Sequence, residues 1–249
     1  MSEWIPYATS DDPSTEVSID VDFDGEREFQ RSHPYLVTLA ITKFATDGDG
    51  QPTDAAASEI FELEGRLEAA GEEHDAEPVC TVSRSGTYEI YSYAADAAAA
   101  DGLKAAAAGT SLRVDVRVER DAAWTTYERY ILRGEELEEA RDADQIAQMD
   151  EAGEDLTRRY EIIFDCEVPA ESVRAAMRAL QSAGFSTSEE DEEFETVVEA
   201  GRTMLLTPQN LKAARAEIEG VITPLGGTYE GWGINPDDDE LDEDEDDAG

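Results

Sequence analysis

Hydrophobic residues between positions 33 and 120 follow strand and helix periods in one order: strand, helix, strand, strand, helix, strand. The clearest strand is LRVDVRVER, in which Val114, Val116 and Val118 alternate with charged residues. This order is typical of the split βαβ, or ferredoxin-like, arrangement. The other segments are the strand HPYLVTLAITKF, a helix over AAASEIFELEGRLEAAG that Gly71 would cap, the hairpin VCTVS and TYEIYSY around Gly86, and the alanine-rich helix DAAAADGLKAAAA.

Residues 158–234 repeat the same theme. RRYEIIFDCEV predicts a strand, and the apolar stripe after it predicts a helix that begins at Pro169. STSEEDEE is predicted to be an acidic loop before one or two strands in FETVVEAGRTMLL. Thr207 predicts the N-cap of a second helix with Pro208 at its first position, and GGTYEGWGI predicts the final strand.

We therefore predict an α+β chain of two tandem ferredoxin-like (split βαβ) domains with an acidic disordered C-terminal tail. A chain of 249 residues is long enough for two such units. The tail is predicted to be disordered because ten of its thirteen residues are acidic, and so many like charges resist compaction. The predicted boundaries are 1–135 for the first domain, 136–155 for a charged, partly helical linker, 156–236 for the second domain and 237–249 for the tail.

The chain carries 61 acidic and 19 basic residues, a formal net charge of -42. Binding to phosphate backbones or anionic membranes needs clustered lysine or arginine, so direct nucleic-acid or membrane binding is not expected. A protein with a basic surface is the partner that electrostatics favours. The alternative is that the acidity reflects adaptation to a high-salt cytoplasm, which the low count of three lysines also fits.

Cys80 and Cys166 each lie in a short apolar run, which predicts buried, reduced strand residues and no disulfide framework. The N-terminal residues lack a basic and apolar signal region, and no apolar run approaches the length of a membrane span. We expect a soluble, cytoplasmic protein.

Motifs of enzyme chemistry are missing from the sequence. His33 and His74 do not stand at zinc-site spacing, and we expect a turn or solvent position for His33 and a solvated loop for His74. Asp47, Asp49 and Asp54 in DGDGQPTD begin like a calcium loop but depart from the EF-hand at its fifth and twelfth positions, so a plain loop is favoured. We predict no catalytic residue, no metal and no cofactor.

The segment from Tyr229 to Gly233, which we call the closing motif, is the best candidate site. It consists of Tyr229, Glu230, Gly231, Trp232 and Gly233. A spacing of three on a regular strand puts Tyr229 and Trp232 on opposite faces, so at least one is expected to be buried. The residues leave two interpretations open: core packing of the last strand, or an exposed aromatic contact for a partner.

The second half resembles a known family, the regulator of ribonuclease E activity B. The features that match lie between about residues 158 and 247: a helix that ends at Gly184-Phe185, a second long helix, the closing motif and the acidic tail. The resemblance implies a protein inhibitor without enzymatic activity or cofactor, which binds a basic region of an endoribonuclease away from its catalytic centre.

The first half is similar to an uncharacterised bacterial domain of unknown function that can occur fused to this regulator. The features that match are Trp4, HPYLV, DGDGQP, SGTYEIYSY and AAWTTYERYIL with Trp124 and Tyr127, over roughly residues 1 to 135. This resemblance implies almost nothing about function.

The leading hypothesis is a cytoplasmic, non-catalytic regulator that binds a basic surface of an endoribonuclease such as ribonuclease E, with Tyr229 or Trp232 as an anchor. The alternative is a generic small-molecule or peptide-binding module of two ferredoxin-like domains whose acidity serves only solubility in salt. A third possibility is an enzyme with a carboxylate site that the sequence does not reveal.

Overall fold

The structure, a computed structural model, describes residues 3–9, 12, 14–48, 50–84, 86–191 and 196–234. The chain forms two compact units: unit 1 is Met1–Asp144 and unit 2 is Gln145–Gly249. Both combine helices with an antiparallel sheet, so the predicted α+β class is confirmed. The predicted acidic tail lies outside the described residues.

Unit 1 is built on a six-stranded antiparallel sheet. The predicted strands and the hairpin around Gly86 are confirmed, but two short strands near the N-terminus, β1 (Trp4–Ala8) and β2 (Glu16–Asp20), had not been predicted. They pair with each other, and β2 pairs with β4 (Ala76–Arg84), so they extend the sheet at one side. The elements are β1 (Trp4–Ala8), β2 (Glu16–Asp20), α1 (Arg27–Ser32), β3 (Tyr35–Thr42), α2 (Asp54–His74), β4 (Ala76–Arg84), β5 (Thr87–Ala94), α3 (Ala99–Ala107), β6 (Arg113–Arg120) and α4 (Thr125–Tyr130), and the strand order is β1-β2-β4-β5-β3-β6.

One face of this sheet packs against α2 and α3. The helical spacing of Ile60, Leu63 and Leu67 directs these side chains to the sheet, where they are at most 5% exposed. Leu103 of α3 is buried in the same cluster. Each such side chain contributes about 1.5–3 kcal/mol when it is fully buried, so this cluster is a main source of stability for unit 1.

The opposite face packs against an aromatic cluster centred on Trp124. Its ring stacks on Tyr93 at a centroid distance of 3.8 Å, and its Nε1 donates hydrogen bonds to the carbonyl oxygens of Gln30 and His33 at 3.1 and 3.0 Å. Tyr127 donates a 2.9 Å hydrogen bond to the carbonyl oxygen of Asp20. The sheet of unit 1 is therefore covered on both faces, which explains why Trp124 and Tyr127 are buried.

His33 stands at the end of α1, just before Pro34, but the expectation that it could lie in solvent was wrong. Its ring is buried against Phe29 at a centroid distance of 3.8 Å, and its Nε2 lies 3.2 Å from Asp75. His74 is exposed, but it is the last residue of α2 and does not lie in a loop. Stacking and hydrogen bonds offset the cost of burying the polar His33 ring.

Gly71 does not cap α2, contrary to the prediction. The helix continues to His74, and Asp75 closes it in the left-handed conformation with its N–H donating to the carbonyl oxygen of Gly71. A Cβ at position 71 would lie 2.4 Å from the carbonyl oxygen of Ala76. Glycine is required here because the start of β4 passes against the last turn of the helix.

Unit 2 is built on a four-stranded antiparallel sheet with two helices on one face. Its core includes Ile162 and Phe164 from the sheet, and Leu180 and Ile218 from the helices, all fully buried. The elements are β7 (Arg159–Glu167), α6 (Val173–Ser182), β8 (Ser186–Asp191), β9 (Thr196–Leu205), α7 (Pro208–Ile222) and β10 (Thr228–Ile234), and the strand order is β10-β7-β9-β8.

Two predictions for unit 2 were wrong. STSEEDEE is not a loop throughout, because Ser186–Asp191 forms the edge strand β8 and pairs with β9. An edge strand can carry many acidic residues, since one of its sides faces solvent. Helix α6 begins at Val173, after a turn that follows Pro169. The predicted start of α7 is confirmed: Thr207 Oγ1 accepts a hydrogen bond from the N–H of Asn210.

Helix α5 (Glu135–Glu151) occupies most of the segment predicted as a linker. Its residues Ile146 and Met149 pack against the core of unit 2. Cys80 and Cys166 are buried and free, as predicted. In the part of the chain that the structure describes, no helix has both the length and the apolar character that crossing a membrane requires.

Candidate partner-binding surface

The closing motif lies on β10, an edge strand that pairs with β7. Tyr229 pairs with Cys166 and Gly231 pairs with Asp165, so Glu230 is an extra residue that forms a β-bulge. Trp232 is therefore opposite Phe164, two residues from the partner of Tyr229. The bulge puts Tyr229 and Trp232 on the same face of the sheet, so the prediction of opposite faces was wrong.

Both aromatic side chains are half-buried and pack against the core of unit 2. The Tyr229 ring lies 6.5 Å from the Phe164 ring, centroid to centroid. Gly231 follows the bulge with φ of +157°, a conformation that residues with a side chain rarely adopt. The core-packing interpretation therefore describes both rings, while Glu230 is exposed to solvent.

The face of the sheet opposite to α6 and α7, which we call the open face, carries the other half of the closing motif. Gly233 pairs with Ile163 and Gly231 pairs with Asp165, so two glycines stand beside these side chains. A recess of about 420 Å³ lies on this face. We define the open face by Glu161, Ile163, Asp165, Ser186, Ser188, Glu199, Gly231 and Gly233.

The open face is acidic. Of the described residues that line the recess, Glu161, Asp165 and Glu199 are carboxylates and none is a lysine or an arginine. Ser188 Oγ donates a 2.5 Å hydrogen bond to Glu199 Oε2, which orients that carboxylate. On the other side of β7, burial and, to a smaller extent, the negative charges of Asp165 and Glu230 together raise the pKa of the Cys166 thiol to about 12.

These features suit the binding of a cation that has an apolar stem. Ionised carboxylates are hydrogen-bond acceptors that pair with ammonium and guanidinium groups, and half-burial strengthens such pairs relative to bulk water. Ile163 offers apolar contact between them, and glycines at 231 and 233 allow a partner to approach the backbone closely. The surface therefore has the chemistry to accept lysine or arginine side chains.

Sequence reasoning found the closing motif but missed the open-face residues of β7 and β9. A signal for them existed in EIIFDCE, where Glu161, Ile163 and Asp165 alternate with residues that face the core. The segment was predicted only as an apolar strand, so the residues on its second face were not predicted.

The structure describes two of the three carboxylates of the loop that the sequence offered as a metal candidate, Asp47 and Asp54. Asp47 Oδ1 accepts a 3.0 Å hydrogen bond from the N–H of Gln51, which closes the loop, and Asp54 is the first residue of α2. Asp49 lies outside the described residues. Within the described residues, no group of three or more histidine, cysteine or carboxylate side chains is arranged to hold a metal ion.

Several solved structures show a likeness to the chain, among them a chlorite dismutase. A chlorite dismutase from Candidatus Nitrospira defluvii, solved in complex with imidazole, is 9% identical over 86% of this chain and 96% of that one, with a TM-score of 0.26. A likeness this weak carries no argument. A search among curated proteins found no match.

Two family models match the chain, and they confirm the two resemblances. Residues 139–234 match Regulator of ribonuclease activity B (RraB), which supports a regulatory role toward ribonuclease activity and a protein partner. Residues 3–132, just over half of the chain, match a Family of unknown function (DUF695). The chain therefore belongs to the DUF695 family, and its residues 139–234 form a second region that matches the RraB family.

Proposed function

We propose that this chain is a non-catalytic cytoplasmic regulator that binds a basic region of an endoribonuclease such as ribonuclease E and modulates RNA cleavage. The open face of unit 2 is the proposed contact surface. Glu230, Gly231 and Gly233 of the closing motif would meet the partner, while Tyr229 and Trp232 would hold β10 on the core. The observation that carries the proposal is an acidic recess within the region that matches the RraB family, whose described lining residues include no lysine or arginine.

Charge supports this proposal. Residues 139–234 contain 21 acidic and 8 basic residues, a formal charge of -13. Some of the basic residues are engaged internally: Arg202 lies over the Phe185 ring and donates a 2.8 Å hydrogen bond to Glu217. Association with a basic partner would be accelerated by long-range attraction and weakened by salt.

We also infer that each unit is a ferredoxin-like domain. In unit 2 the elements follow the order β-α-β-β-α-β, and the strands stand in the order fourth, first, third, second. In unit 1 the strands β3, β4, β5 and β6 have the same relative order, extended by the hairpin of β1 and β2. The two units would then share one architecture, and the sheet of unit 1 would have two additional strands at one edge.

The alternative function, a peptide- or small-molecule-binding module, has one specific observation in its favour. Unit 1 contains a cavity of about 540 Å³, a volume typical of ligand pockets.

A calorimetric titration tests the proposed function. The full chain is titrated against the basic region of the host endoribonuclease at 50 and 300 mM NaCl, with an RNA-cleavage assay beside it. We expect saturable binding that weakens with salt and slows cleavage. The double variant Glu161→Gln/Glu199→Gln should bind about tenfold more weakly, because it removes two charges from the open face.

The matched control is Glu171→Gln/Glu219→Gln, which removes two exposed charges from unit 2 outside the open face. It should stay within about threefold of the unmodified chain, since only long-range attraction changes. Equal weakening in both double variants would argue against the open face as the contact surface. Absence of binding at both salt concentrations would argue against the ribonuclease as partner.

A further inference from the structure

Unit 1 contains a groove between α2 and the strands that the N-terminal hairpin adds to the sheet. The cavity of about 540 Å³ lies here. Its lining includes three aromatic side chains, Trp4, Phe61 and Tyr88, beside the apolar Ile90 and Pro78. The groove exists because β1 and β2 carry the sheet beyond the surface that α2 and α3 cover.

Two residues on the α2 side of this groove are not explained by the stability of the fold. Phe61 is 76% exposed, the highest value among the exposed large hydrophobic side chains of the described residues. Gly65, one turn later, lies in the interior of the helix, where glycine is unfavourable compared with alanine. Apart from its chain neighbours and the backbone of its own helix, no atom of the described residues lies within 4 Å of the position that a Cβ at Gly65 would take. Its missing side chain leaves room at the groove for an incoming molecule.

The charge of the groove selects the class of ligand. Five of the described lining residues are carboxylates and none is a lysine or an arginine. Glu64, Glu68 and Glu72 stand four residues apart on α2, a spacing at which like charges repel and destabilise the helix. A cation in the groove would relieve this repulsion, and aromatic rings beside carboxylates are favourable neighbours for guanidinium groups.

The spacing of these carboxylates favours an extended chain. Residues four apart in a helix are about 6 Å apart along its axis. Alternate side chains of an extended peptide are about 6.6 Å apart and point to the same side. Three successive carboxylates can therefore meet three alternate basic side chains, while Phe61 and Trp4 contact their apolar stems.

We propose that this groove binds an extended, arginine-rich protein segment with basic residues at alternate positions. Glu64, Glu68 and Glu72 pair with its side chains, Phe61 and Trp4 contact their stems, and Gly65 allows close approach of its backbone. The site belongs to unit 1, so the inference does not depend on whether unit 2 regulates a ribonuclease.

The test is a calorimetric titration of the full chain with a capped nonapeptide of alternating serine and arginine at 50 mM NaCl. The same titration is made with the Glu161→Gln/Glu199→Gln variant, which separates any binding at the open face from binding in the groove. Gly65→Leu fills the groove, and Glu68→Gln/Glu72→Gln removes two of its charges without changing side-chain size. Each should weaken groove binding about tenfold or more.

Each variant has a matched control. Gly220→Leu changes an exposed helical glycine of α7, which also has open space around its Cβ position. Glu62→Gln/Glu73→Gln removes two exposed charges from α2 outside the groove lining. Both controls should stay within about threefold of the unmodified chain. Circular dichroism verifies that every variant is folded. If Gly65→Leu is not folded, the Glu68→Gln/Glu72→Gln variant provides the test.

Three results would overturn the proposal. The first is the absence of saturable binding, and the second is equal weakening in groove variants and controls, which would indicate general electrostatic attraction. The third is that spermine at the same concentration as the peptide occupies the groove as strongly as the peptide does. That result would identify the ligand as a small polyamine.

Discussion

Glu64 is a half-buried carboxylate on α2 that accepts a 2.7 Å hydrogen bond from Tyr88 Oη. Burial raises the pKa of Glu64 above its usual value, and the hydrogen bond from Tyr88 only partly offsets this effect. The folded state therefore binds more protons than the unfolded state at pH values between the two pKa values. Stability is lost as the pH rises through that window.

Replacing Glu64 with glutamine is expected to stabilise the protein at pH 7. Glutamine still accepts the hydrogen bond from Tyr88, but it brings no charge into the half-buried position. The free energy of unfolding should rise by up to about 1 kcal/mol at pH 7, and the gain should shrink as the pH falls through the raised pKa of Glu64 and this carboxylate becomes protonated. Urea unfolding at several pH values measures this change.

Glu62→Gln is the control, because Glu62 is exposed on the same helix. This substitution also removes one negative charge, but that charge is exposed and not half-buried. Its effect on the free energy of unfolding should therefore be smaller. A Glu64→Gln chain that is less stable than the unmodified chain at pH 7 would contradict the account, since it would mean that the charged hydrogen bond outweighs desolvation.

At the scale of elements, the strand β10 depends on its bulge. The extra residue Glu230 shifts the alternation by one position, so that Tyr229 and Trp232 both pack on the core. Without such a shift, a spacing of three would turn one ring away from the core.

Two deletions in β10 are expected to destabilise the protein to different extents. Deletion of Glu230 alone leaves Tyr229 two residues before Trp232, so both rings face the core on a regular strand, and the free energy of unfolding should fall by about 1 kcal/mol or less. Deletion of both Glu230 and Gly231 makes the two rings neighbours on opposite faces, which should cost about 2 kcal/mol or more of burial. Urea unfolding monitored by circular dichroism compares the two deletions. Equal losses in the free energy of unfolding would show that the bulge does not determine on which face of the sheet the two rings lie.

At the scale of the whole molecule, self-repulsion accompanies a net charge of -42. Like charges held together by folding oppose the compact state, and salt screens them. The Debye length falls from about 10 Å at 0.1 M salt to about 3 Å at 1 M.

Added salt is therefore expected to stabilise the protein against urea, with most of the gain below about 0.5 M NaCl. Screening depends on ionic strength, so sodium chloride and sodium perchlorate should act alike at low concentration. Stability that falls with added sodium chloride, or that differs between the two salts below about 0.2 M, would argue against screening as the cause.

Much of this architecture was predictable from local patterns. The alternation in β6, the helical spacing of Ile60, Leu63 and Leu67, and the cap at Thr207 depend on residues within a few positions of one another. Such patterns report the period of an element and its ends. The order of the main elements and the α+β class followed from them, and the two family resemblances were confirmed by the family models.

The tertiary structure decided what depends on contacts between distant residues. The bulge at Glu230 is defined only by pairing with β7, the strand β8 exists only through its bonds to β9, and the groove of unit 1 appears only when the hairpin of β1 and β2 joins the sheet. His33 is buried within the cluster around Trp124, whose Nε1 donates to the His33 carbonyl oxygen, and the His33 ring lies 3.2 Å from Asp75 of a distant segment. Local sequence sets the period of hydrophobic residues, but the face on which a side chain lies and what covers it depend on partners far along the chain.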